Sequence, residues 1–497
     1  MRGPRSGKIS RGFAIAFGFA VLLAWAAYAA VFVYRVEWGG RRALTPEIRK
    51  LASQEPQEEW LALFRGGRKV GYGHSRLIPR EEGFELNEEL FLRLLFLEET
   101  HEVLSTTQAR LGPDYSLSTF TFRLQAGPVA FRLEGTVASG KLLLVTRMAG
   151  DHQTAELPLS VPIYLGGGMK AFLAQERLQV GNTYRLNLFD PSTMSQSLVP
   201  LRVEAKETIV LEARSYEAFR VVMDYHGLQL RSWISPYGEV LKEEGLLGMT
   251  LVKTDAEGAM TGLEGAAGAD LVRAAAVVPD RAIPRPRDLK RLRLELTGVT
   301  GEGLDLAGER QEWRERQLTI NRESLHDLRP ARIPWNEREM VRDLQPELLV
   351  QSDAPELKAQ AAEIVGAERD GLTAVKKISS WVHRQVEKRP TLSIPSALEV
   401  WRERAGDCNE HSVLFAALAR AAGIPTRIAA GLLYADGSFF YHAWDEVYLG
   451  RWITVDTVLD QVPADPSHVR LILGGVDRQV ELVRVIGKLG IRVVDYE

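Results

Sequence analysis

Short runs of alternating apolar and polar residues fill the stretch from Glu58 to Thr254. The clearest runs are residues 119–125, 131–137, 141–148, 184–189 and 219–235. Gly, Pro, Asp and Asn separate them at nearly regular intervals, which is typical of antiparallel β-sheet. A strongly curved sheet or an open barrel fits this spacing, but the spacing determines neither strand order nor closure. The region groups no acids, histidines or cysteines into a site, so we interpret it as a structural or binding domain.

A run of 23 uncharged residues, Gly12 to Tyr34, precedes this region. At helical rise it covers roughly 34 Å, enough to cross a bilayer. We therefore expect a single-pass anchor at residues 12–34 in the inner membrane, with the soluble region on the periplasmic or extracytoplasmic side. A cleaved secretory signal is the alternative. Basic residues flank the run on both sides, so the charge bias that sets orientation is slight.

The chain has 497 residues, more than one hydrophobic core usually serves. We divide it into a membrane anchor at 1–37, a β-rich exported domain at 38–265, a small intermediate β-like domain with a Pro-rich linker at 266–345, and a C-terminal domain at 346–497. The formal net charge is −3, and no long basic stripe interleaves with aromatic residues. Nucleic acid is therefore not an expected partner.

The single cysteine, Cys408, lies at a predicted helix start. Asp407 suits the N-cap position, and Glu410 follows three residues later. Gly423 and Pro425 provide the C-terminal stop. At the first helical position, free backbone N–H groups and the helix dipole favour a thiolate, so we expect a lowered pKa for Cys408. A small buried apolar residue is the alternative role for an unpaired cysteine.

Three strands follow the helix, predicted at residues 427–435, 438–449 and 452–456. The Asp436-Gly437 pair indicates a two-residue hairpin, which would place Gly431 opposite His442 and leave space beside the imidazole. A nucleophilic thiol needs a base and an orienting group behind that base, and His442 and Asp456 are the candidates. Each has a structural alternative, as a hydrogen-bonded strand histidine or a turn cap. The order Cys408, His442, Asp456 after a helix start favours the catalytic role over these structural ones.

The second hairpin sets a condition on Asp456. A two-residue turn at residues 450–451 would put His442 and Asp456 on opposite faces of the sheet. We therefore predict an odd-length loop, such as residues 449–451, or a β-bulge between residues 448 and 453. A three-residue loop makes His442 and Asp456 diagonal neighbours at roughly 7 to 8 Å.

Other polar and aromatic residues lie near these positions. Trp444 and Glu446 share the face of His442 by alternation. Trp444 suits either the wall of a cleft or core packing, and Glu446 suits a salt bridge. His411, one turn after Cys408, suits a supporting or N-terminal capping role.

A metal site is not expected around Cys408 and His442. A catalytic zinc site takes three protein ligands and a structural one takes four, and the sequence supplies no further close cysteine or paired histidines. No acidic loop with the spacing of a calcium site is present either. We therefore predict neither metal nor cofactor.

The stretch from about Ser396 to Gln461 resembles the core of the transglutaminase-like superfamily. The family pattern is G-x-C at a helix start, then H-A-W-x-E-V, then W-x-x-V-D. The matching segments here are Gly406-Asp407-Cys408, His442-Ala443-Trp444-Asp445-Glu446-Val447 and Trp452-Ile453-Thr454-Val455-Asp456. Thr457-Val458 departs from the Pro-Thr that many relatives carry after the aspartate. The resemblance extends loosely over residues 345–490, to bacterial members with a membrane anchor and a β-rich exported region.

This resemblance implies a catalytic domain of papain-like α+β fold at residues 346–497, and we expect the α+β class for the chain. It implies a triad in which Cys408 attacks an amide carbonyl to form a thioester, His442 moves the proton and Asp456 holds the imidazole. Hydrolysis of peptide or side-chain amides in a peptide or protein substrate of the cell envelope is expected over crosslinking. A cell-wall peptide hydrolase and a non-catalytic envelope binding module are the alternatives.

Overall fold

The structure is a computed structural model, and it describes most of the chain after residue 54. The described residues are 55–497 except for 97–98, 127–128, 149–150, 176–177, 226–227, 246–247, 264–270, 327, 329–330, 336–339 and 390–395. The expected anchor helix at residues 12–34 lies outside them, as does the whole predicted domain at 1–37. Within the described residues, no helix is both long and apolar enough to cross a membrane.

The described chain separates into two compact units, and the division falls between Leu271 and Val272. The first unit is one antiparallel sheet of fourteen strands among its described residues. These strands are β1 (Gln57–Arg65), β2 (Arg68–Arg80), β3 (Gly83–Phe96), β4 (Glu99–Leu111), β5 (Leu117–Ala126), β6 (Val129–Ala138), β7 (Lys141–Met148), β8 (Asp151–Pro158), β9 (Thr183–Asp190), β10 (Ser195–Leu211), β11 (Arg214–Tyr225), β12 (Leu228–Ile234), β13 (Val240–Glu244) and β14 (Met249–Thr254). Three short helices accompany them: α1 (Gly166–Gln175), α2 (Ala256–Met260) and α3 (Leu271–Ala275), which runs across the division.

Strands β1 to β8 pair in sequence order, strands β9 to β14 do the same, and β1 pairs with β14, so that β8 and β9 are the edges of the sheet. The alternation in the sequence reflects the two faces of this antiparallel sheet, since one face is packed and the other is solvated. In β5, Phe120, Phe122 and Leu124 are buried, whereas Arg123 and Gln125 between and beside them are exposed. The predicted runs at 119–125, 131–137, 141–148 and 184–189 lie in β5, β6, β7 and β9. The run at 219–235 holds two strands, β11 and β12, rather than one.

The second unit holds two four-stranded antiparallel sheets and a two-stranded parallel pair among its described residues. Its strands are β15 (Arg291–Thr297), β16 (Gln311–Arg314), β17 (Gln317–Asn321), β18 (Glu387–Lys388), β19 (Ala405–Gly406), β20 (Thr426–Ala435), β21 (Ser438–Tyr448), β22 (Trp452–Val455), β23 (His468–Leu473) and β24 (Gly490–Tyr496). Its helices are α4 (Pro355–Val365), α5 (Gly371–Gln385), α6 (Ala397–Glu403), α7 (Cys408–Ala421) and α8 (Val476–Gln479). Three single turns of 3-10 helix lie at Pro286–Asp288, Arg342–Leu344 and Val480–Arg484.

One sheet has the order β16-β17-β15-β24 and therefore joins a strand near residue 291 to the C-terminal strand. It crosses the predicted boundary at 345/346. The four predicted domain ranges stay predictions. The other sheet has the order β22-β21-β20-β23, in which the two hairpins after α7 form the first three strands and β23 pairs with the far side of β20.

Helix α7 lies at the centre of the second unit's core. Every residue from Cys408 to Arg420 is buried, including the polar first turn, and the stretch from residue 413 to 419 is apolar on every side, which is typical of such a position. Helix α5 packs in the same core through Val375, Ile378 and Val382. This is the face that the three- and four-residue spacing of its apolar residues predicts.

The expected α+β class is wrong for the chain as a whole. Strands make up 50% of the described structure and helices 19%. The fourteen-stranded sheet of the first unit dominates this balance, and the longer helices of the second unit lie between about residues 355 and 421. The membrane helix that formed part of the expected architecture belongs to residues that the structure does not describe.

Candidate active site

Cys408 occupies the first position of α7, as predicted. Asp407 is the N-cap and accepts a hydrogen bond from the Asn409 N–H at 2.9 Å. Glu410 accepts from the Asp407 N–H at 3.0 Å, which completes a capping box. The short polar side chain before the cysteine and the glutamate three residues later thus start the helix at this residue.

The hairpin between β20 and β21 has the predicted two-residue turn. Asp436 and Gly437 have φ of 47° and 84°, the left-handed values that a tight hairpin needs. Ala435 pairs with Ser438, and Gly431 pairs with His442, as expected. The reason for glycine at 431 differs from the one expected. A Cβ there would lie 2.0 Å from the carbonyl oxygen of Val469, so the glycine permits the close approach of β23 rather than leaving room beside the imidazole.

The hairpin between β21 and β22 has the three-residue loop that the site requires. Tyr448 pairs with Trp452 and Asp445 pairs with Val455, which leaves residues 449–451 as the loop. This register puts His442 and the residue after β22, Asp456, on one face. His442 Nε2 lies 2.9 Å from Asp456 Oδ2, with both side chains buried. The prediction of an odd-length loop is confirmed.

The thiol of Cys408 lies against the backbone of β21. The Ala443 N–H donates to Cys408 Sγ at 3.1 Å. Strand β22 ends at Val455, two residues short of the position that would face Ala443, so this N–H is available to the sulfur. The next residue back is His442, whose Nδ1 is buried and has no hydrogen-bond partner in the described part of the chain. The structure therefore brings the three predicted residues together around the end of β22.

His468, the first residue of β23, is a member of the cluster that the sequence analysis missed. Its Nε2 lies 2.9 Å from Asp456 Oδ2, the same oxygen that contacts His442. Its Nδ1 lies 3.0 Å from the backbone carbonyl oxygen of Asp465. The side chain is fully buried. The local sequence gives no signal for this residue, because β23 reaches the site by pairing with β20, almost forty residues earlier in the chain.

Burial and hydrogen bonding set the protonation of these groups. Burial alone would raise the pKa of Asp456, but the neighbouring His442 and His468 hold it far below its ordinary value. Burial would lower the pKa of His468, but hydrogen bonds to Asp456 and Asp465 raise it to about 9. Asp456 is thus a buried carboxylate that two imidazoles share.

The expected lowering of the Cys408 pKa is wrong for this closed arrangement. Burial, and next the charge of Asp407, raise the pKa of the thiol well above its ordinary value, and the Ala443 N–H only partly opposes them. The thiol is 1% exposed, between Ala443 and Val458. The resting cysteine is therefore a protonated thiol.

Ligand atoms of His442, Asp456 and His468 all lie within 4.8 Å of one another, a spacing that allows a metal ion to be considered. All three side chains are fully buried, so a metal there would have no open position for water or substrate. Both Nε2–Oδ2 distances are 2.9 Å, the usual length of an N–H···O bond. We therefore interpret both contacts as hydrogen bonds.

The neighbouring residues have supporting contacts. The Trp444 ring lies 6.1 Å from the His442 ring and 5.3 Å from the His468 ring, centroid to centroid, and is 1% exposed. Glu446 forms ion pairs with Arg427 at 2.6 Å and Arg470 at 3.0 Å, in line with the predicted salt bridge. His411 Nδ1 lies 2.6 Å from the Asp407 carbonyl oxygen, and burial lowers its pKa to about 4.

Comparison with known proteins gives one family match and several distant structural likenesses. Residues 358–457 match the family model of the Transglutaminase-like superfamily. No curated protein sequence matches the chain. A candidate cysteine protease from Cytophaga hutchinsonii is 18% identical, covers 42% of this chain and 86% of its own length, and has a TM-score of 0.27. A beta-barrel-like protein of a domain of unknown function from Brucella abortus is 13% identical, covers 40% of this chain and 98% of its own, with a TM-score of 0.30.

A third solved structure, a candidate protease from Parabacteroides distasonis, is 10% identical, covers 72% of this chain and 63% of its own, and has a TM-score of 0.19. At these scores the structural likenesses carry no argument about function. The family match does not depend on them, and it includes all three predicted site residues. The predicted resemblance is confirmed: residues 358–457, with Cys408, His442 and Asp456 among them, match the transglutaminase-like superfamily.

Proposed function

We propose that this chain is a cysteine enzyme that cleaves peptide or side-chain amides through a thioester on Cys408. One observation carries the proposal. His442 directs Nε2 to Asp456 at 2.9 Å, while its Nδ1 has no partner in the described structure and the adjacent residue, Ala443, contacts the Cys408 sulfur. A thiol, a base and an orienting carboxylate thus follow one another in the order that nucleophilic catalysis requires.

The reaction follows from these positions. Nδ1 of His442 takes the proton from Cys408 Sγ as the sulfur attacks the amide carbonyl carbon. The tetrahedral intermediate collapses to a thioester, and the leaving amine departs with the proton that His442 returns. Water, deprotonated by His442, then attacks the thioester and releases the carboxylic acid and the free thiol. The backbone N–H of Cys408, at the start of α7, is available to the developing oxyanion.

Water is the acceptor we propose, with an amine as the variant that would make the enzyme a transferase. Both acceptors use the same thioester, so the choice depends on what reaches it. The substrate class we propose is a peptide or protein.

A cleavage assay on the full chain tests this function. A proteome-derived peptide library is incubated with the wild type and with Cys408→Ala, and new termini and released ammonia are measured by mass spectrometry and a coupled assay. A fluorescent primary amine in a parallel reaction reports transfer. We expect cleavage or deamidation by the wild type alone. Equal, background-level products from both proteins, with no amine incorporated, would contradict an enzymatic function and favour a binding module.

A further inference from the structure

Asp456 has two imidazole partners, His442 and His468, and the two rings differ in the hydrogen bonds that their nitrogens make. In the described structure, the ring nitrogens of His468 contact Asp456 Oδ2 at 2.9 Å and the Asp465 carbonyl oxygen at 3.0 Å. A carbonyl oxygen only accepts, and an ionised carboxylate only accepts. Both nitrogens of His468 must therefore carry a proton, which makes its ring a cation.

In His442, by contrast, only one ring nitrogen has a hydrogen-bond partner. Its Nε2 donates to Asp456, but its Nδ1 is buried without a partner in the described part of the chain. A neutral ring with its proton on Nε2 satisfies these contacts and leaves a lone pair on Nδ1. The two ring centroids are 5.9 Å apart in a fully buried site. Two cations at that distance beside one carboxylate would repel each other, so one charge is favoured over two.

The other ionisable groups near the cluster do not take the place of His468. Arg427 and Arg470 are engaged by Glu446, and Lys388 donates to the His383 carbonyl oxygen. Arg310 is paired with Glu323 and donates to the backbone carbonyl oxygens of Asp465 and His468. Further ionisable groups around the cluster are Asp407, Cys408, Glu410, His411 and Arg420 of α7 and its N-cap, His383 of α5, Asp445 of β21, and Asp460 and Asp465 after β22. Among the described residues, the ionisable groups in direct contact with Asp456 are His442 and His468, so His468 is the cation available to it once His442 is neutral.

We propose that His468 is the fixed counter-charge of Asp456, a doubly protonated ring that leaves His442 neutral and able to accept the proton of Cys408. His468 is thus a positioning residue, which acts on the thiol only through Asp456 and His442. The inference deepens the proposed function, because it explains how a buried carboxylate can orient the base without converting it into an imidazolium. The rise of the His468 pKa to about 9 and the protonated thiol agree with a resting site that holds no thiolate–imidazolium pair.

Magnetic resonance of the full chain, with isotope-labelled histidine rings, measures this charge directly. We expect one ring to be protonated on both nitrogens at about pH 7.5, where an ordinary histidine is neutral. Its signal should vanish in His468→Gln and persist in His152→Gln, which removes an exposed histidine of β8. The His442 ring should be neutral, with its proton on Nε2. A neutral His468 or a doubly protonated His442 in the wild type at this pH would overturn the inference.

The His468→Gln variant supplies the second measurement. Glutamine keeps a donor for Asp456 but removes the charge, so His442 becomes the counter-cation. The His442 ring of this variant should then carry a proton on both nitrogens at about pH 7.5, and amide hydrolysis at that pH should fall relative to His152→Gln. A role limited to packing would lower the amount of folded enzyme and leave the His442 ring neutral, which would contradict the proposal. If the variant does not fold, the wild-type spectrum decides alone.

Failure of this inference and failure of the proposed function are distinguishable. The ring charges are measured without a substrate, so a chain that cleaves nothing still shows whether His468 is a cation. Conversely, an active enzyme with a neutral His468 would overturn the inference and leave the function in place.

Discussion

Val458 and Cys408 lie in one small buried cluster, which Ala443 completes. Val458 lies in the turn at residues 457–460. That turn is held at two points: the Leu459 N–H donates to Asp456 Oδ1 at 3.0 Å, and His383 Nδ1 lies 2.9 Å from the Thr457 carbonyl oxygen. Because Cys408 is 1% exposed, this cluster must open before a substrate carbonyl reaches the sulfur, and Val458 in its turn is the member we expect to move.

Replacing Val458 with alanine should make Cys408 easier to alkylate. Loss of two methyl groups lowers the cost of opening the turn by about 1 kcal/mol, equivalent to about five-fold in the rate of reaction with iodoacetamide. The modification is followed by intact mass at fixed pH. Leu459→Ala is the matched control, because Leu459 is in the same turn but packs with Leu433 and Ala435 instead of the thiol. Equal rates in both variants would show that Val458 does not cover the nucleophile.

Asp456→Asn should impair both catalysis and folding. The amide cannot hold His442 in the correct tautomer, so we expect kcat to fall by about 10³- to 10⁴-fold. It also leaves the buried His468 cation without its carboxylate, a loss on the order of 3 to 5 kcal/mol in the free energy of unfolding. Steady-state hydrolysis and urea unfolding measure the two effects. Asp460→Asn, an exposed change four residues later, should alter neither, and a similar loss in both variants would contradict the assigned role.

His468 shares the Asp456 carboxylate with His442, and its titration should lower the free energy of unfolding of the second unit at alkaline pH. Folding raises the pKa of His468 from 6.5 to about 9. Between these values the folded state binds a proton that the unfolded state has lost, so the free energy of unfolding falls as pH rises. The contribution is complete below pH 6.5 and is lost as pH passes through about 9, on the order of 3 kcal/mol.

At acid pH the dependence is opposite: the free energy of unfolding falls as the pH is lowered. Asp456 and Asp465 have pKa values that their histidine partners hold below the ordinary range. Their stabilisation is present above the unfolded pKa, about 3.9, and is lost as pH falls through the lower folded values. Urea midpoints followed by tryptophan fluorescence, from acid to alkaline pH, test both limbs. The part of the decline between pH 6.5 and about 8.5, the ordinary pKa of cysteine, should be absent in His468→Gln, and its persistence there would assign it to another group.

Gly431→Ala should separate β20 from β23. The added Cβ would lie 2.0 Å from the Val469 carbonyl oxygen, and a backbone atom cannot give way as a side chain would. We expect a loss of about 3 kcal/mol or more in the free energy of unfolding and a fall in activity, because His468 moves with β23. Gly73→Ala in β2 is the control, since its Cβ would meet side chains only at 3.9 and 4.0 Å. Unchanged stability in Gly431→Ala would show that β23 is not held so closely.

The parts of the site that sequence predicts are those determined by local spacing. Asp407 and Glu410 mark the start of α7 because a capping box involves four consecutive residues. Asp436-Gly437 marks the first hairpin because its backbone angles favour these residues. An odd-length loop or a β-bulge after β21 follows from parity, once His442 and Asp456 must share a face, and the structure has the loop at 449–451.

The remaining parts depend on contacts between distant segments. His468 enters the site because β23 pairs with β20, and no pattern near residue 468 indicates that pairing. The raised pKa of Cys408 depends on Val458 and the carboxylates around the helix start, which a helix-dipole argument leaves out. The fold class fails for a related reason. Alternating runs predicted strands correctly, but they gave no weight to how far one fourteen-stranded sheet would outnumber the helices.

The three-residue loop between β21 and β22 restricts which insertions the site can accept. Adding or removing one residue at 449–451 would turn Asp456 to the opposite face, away from both imidazoles, unless a bulge compensated. Adding two residues would restore the face. Chains that share this catalytic arrangement should therefore vary here in steps of two, and a single-residue deletion should abolish activity even where every side chain of the site is retained.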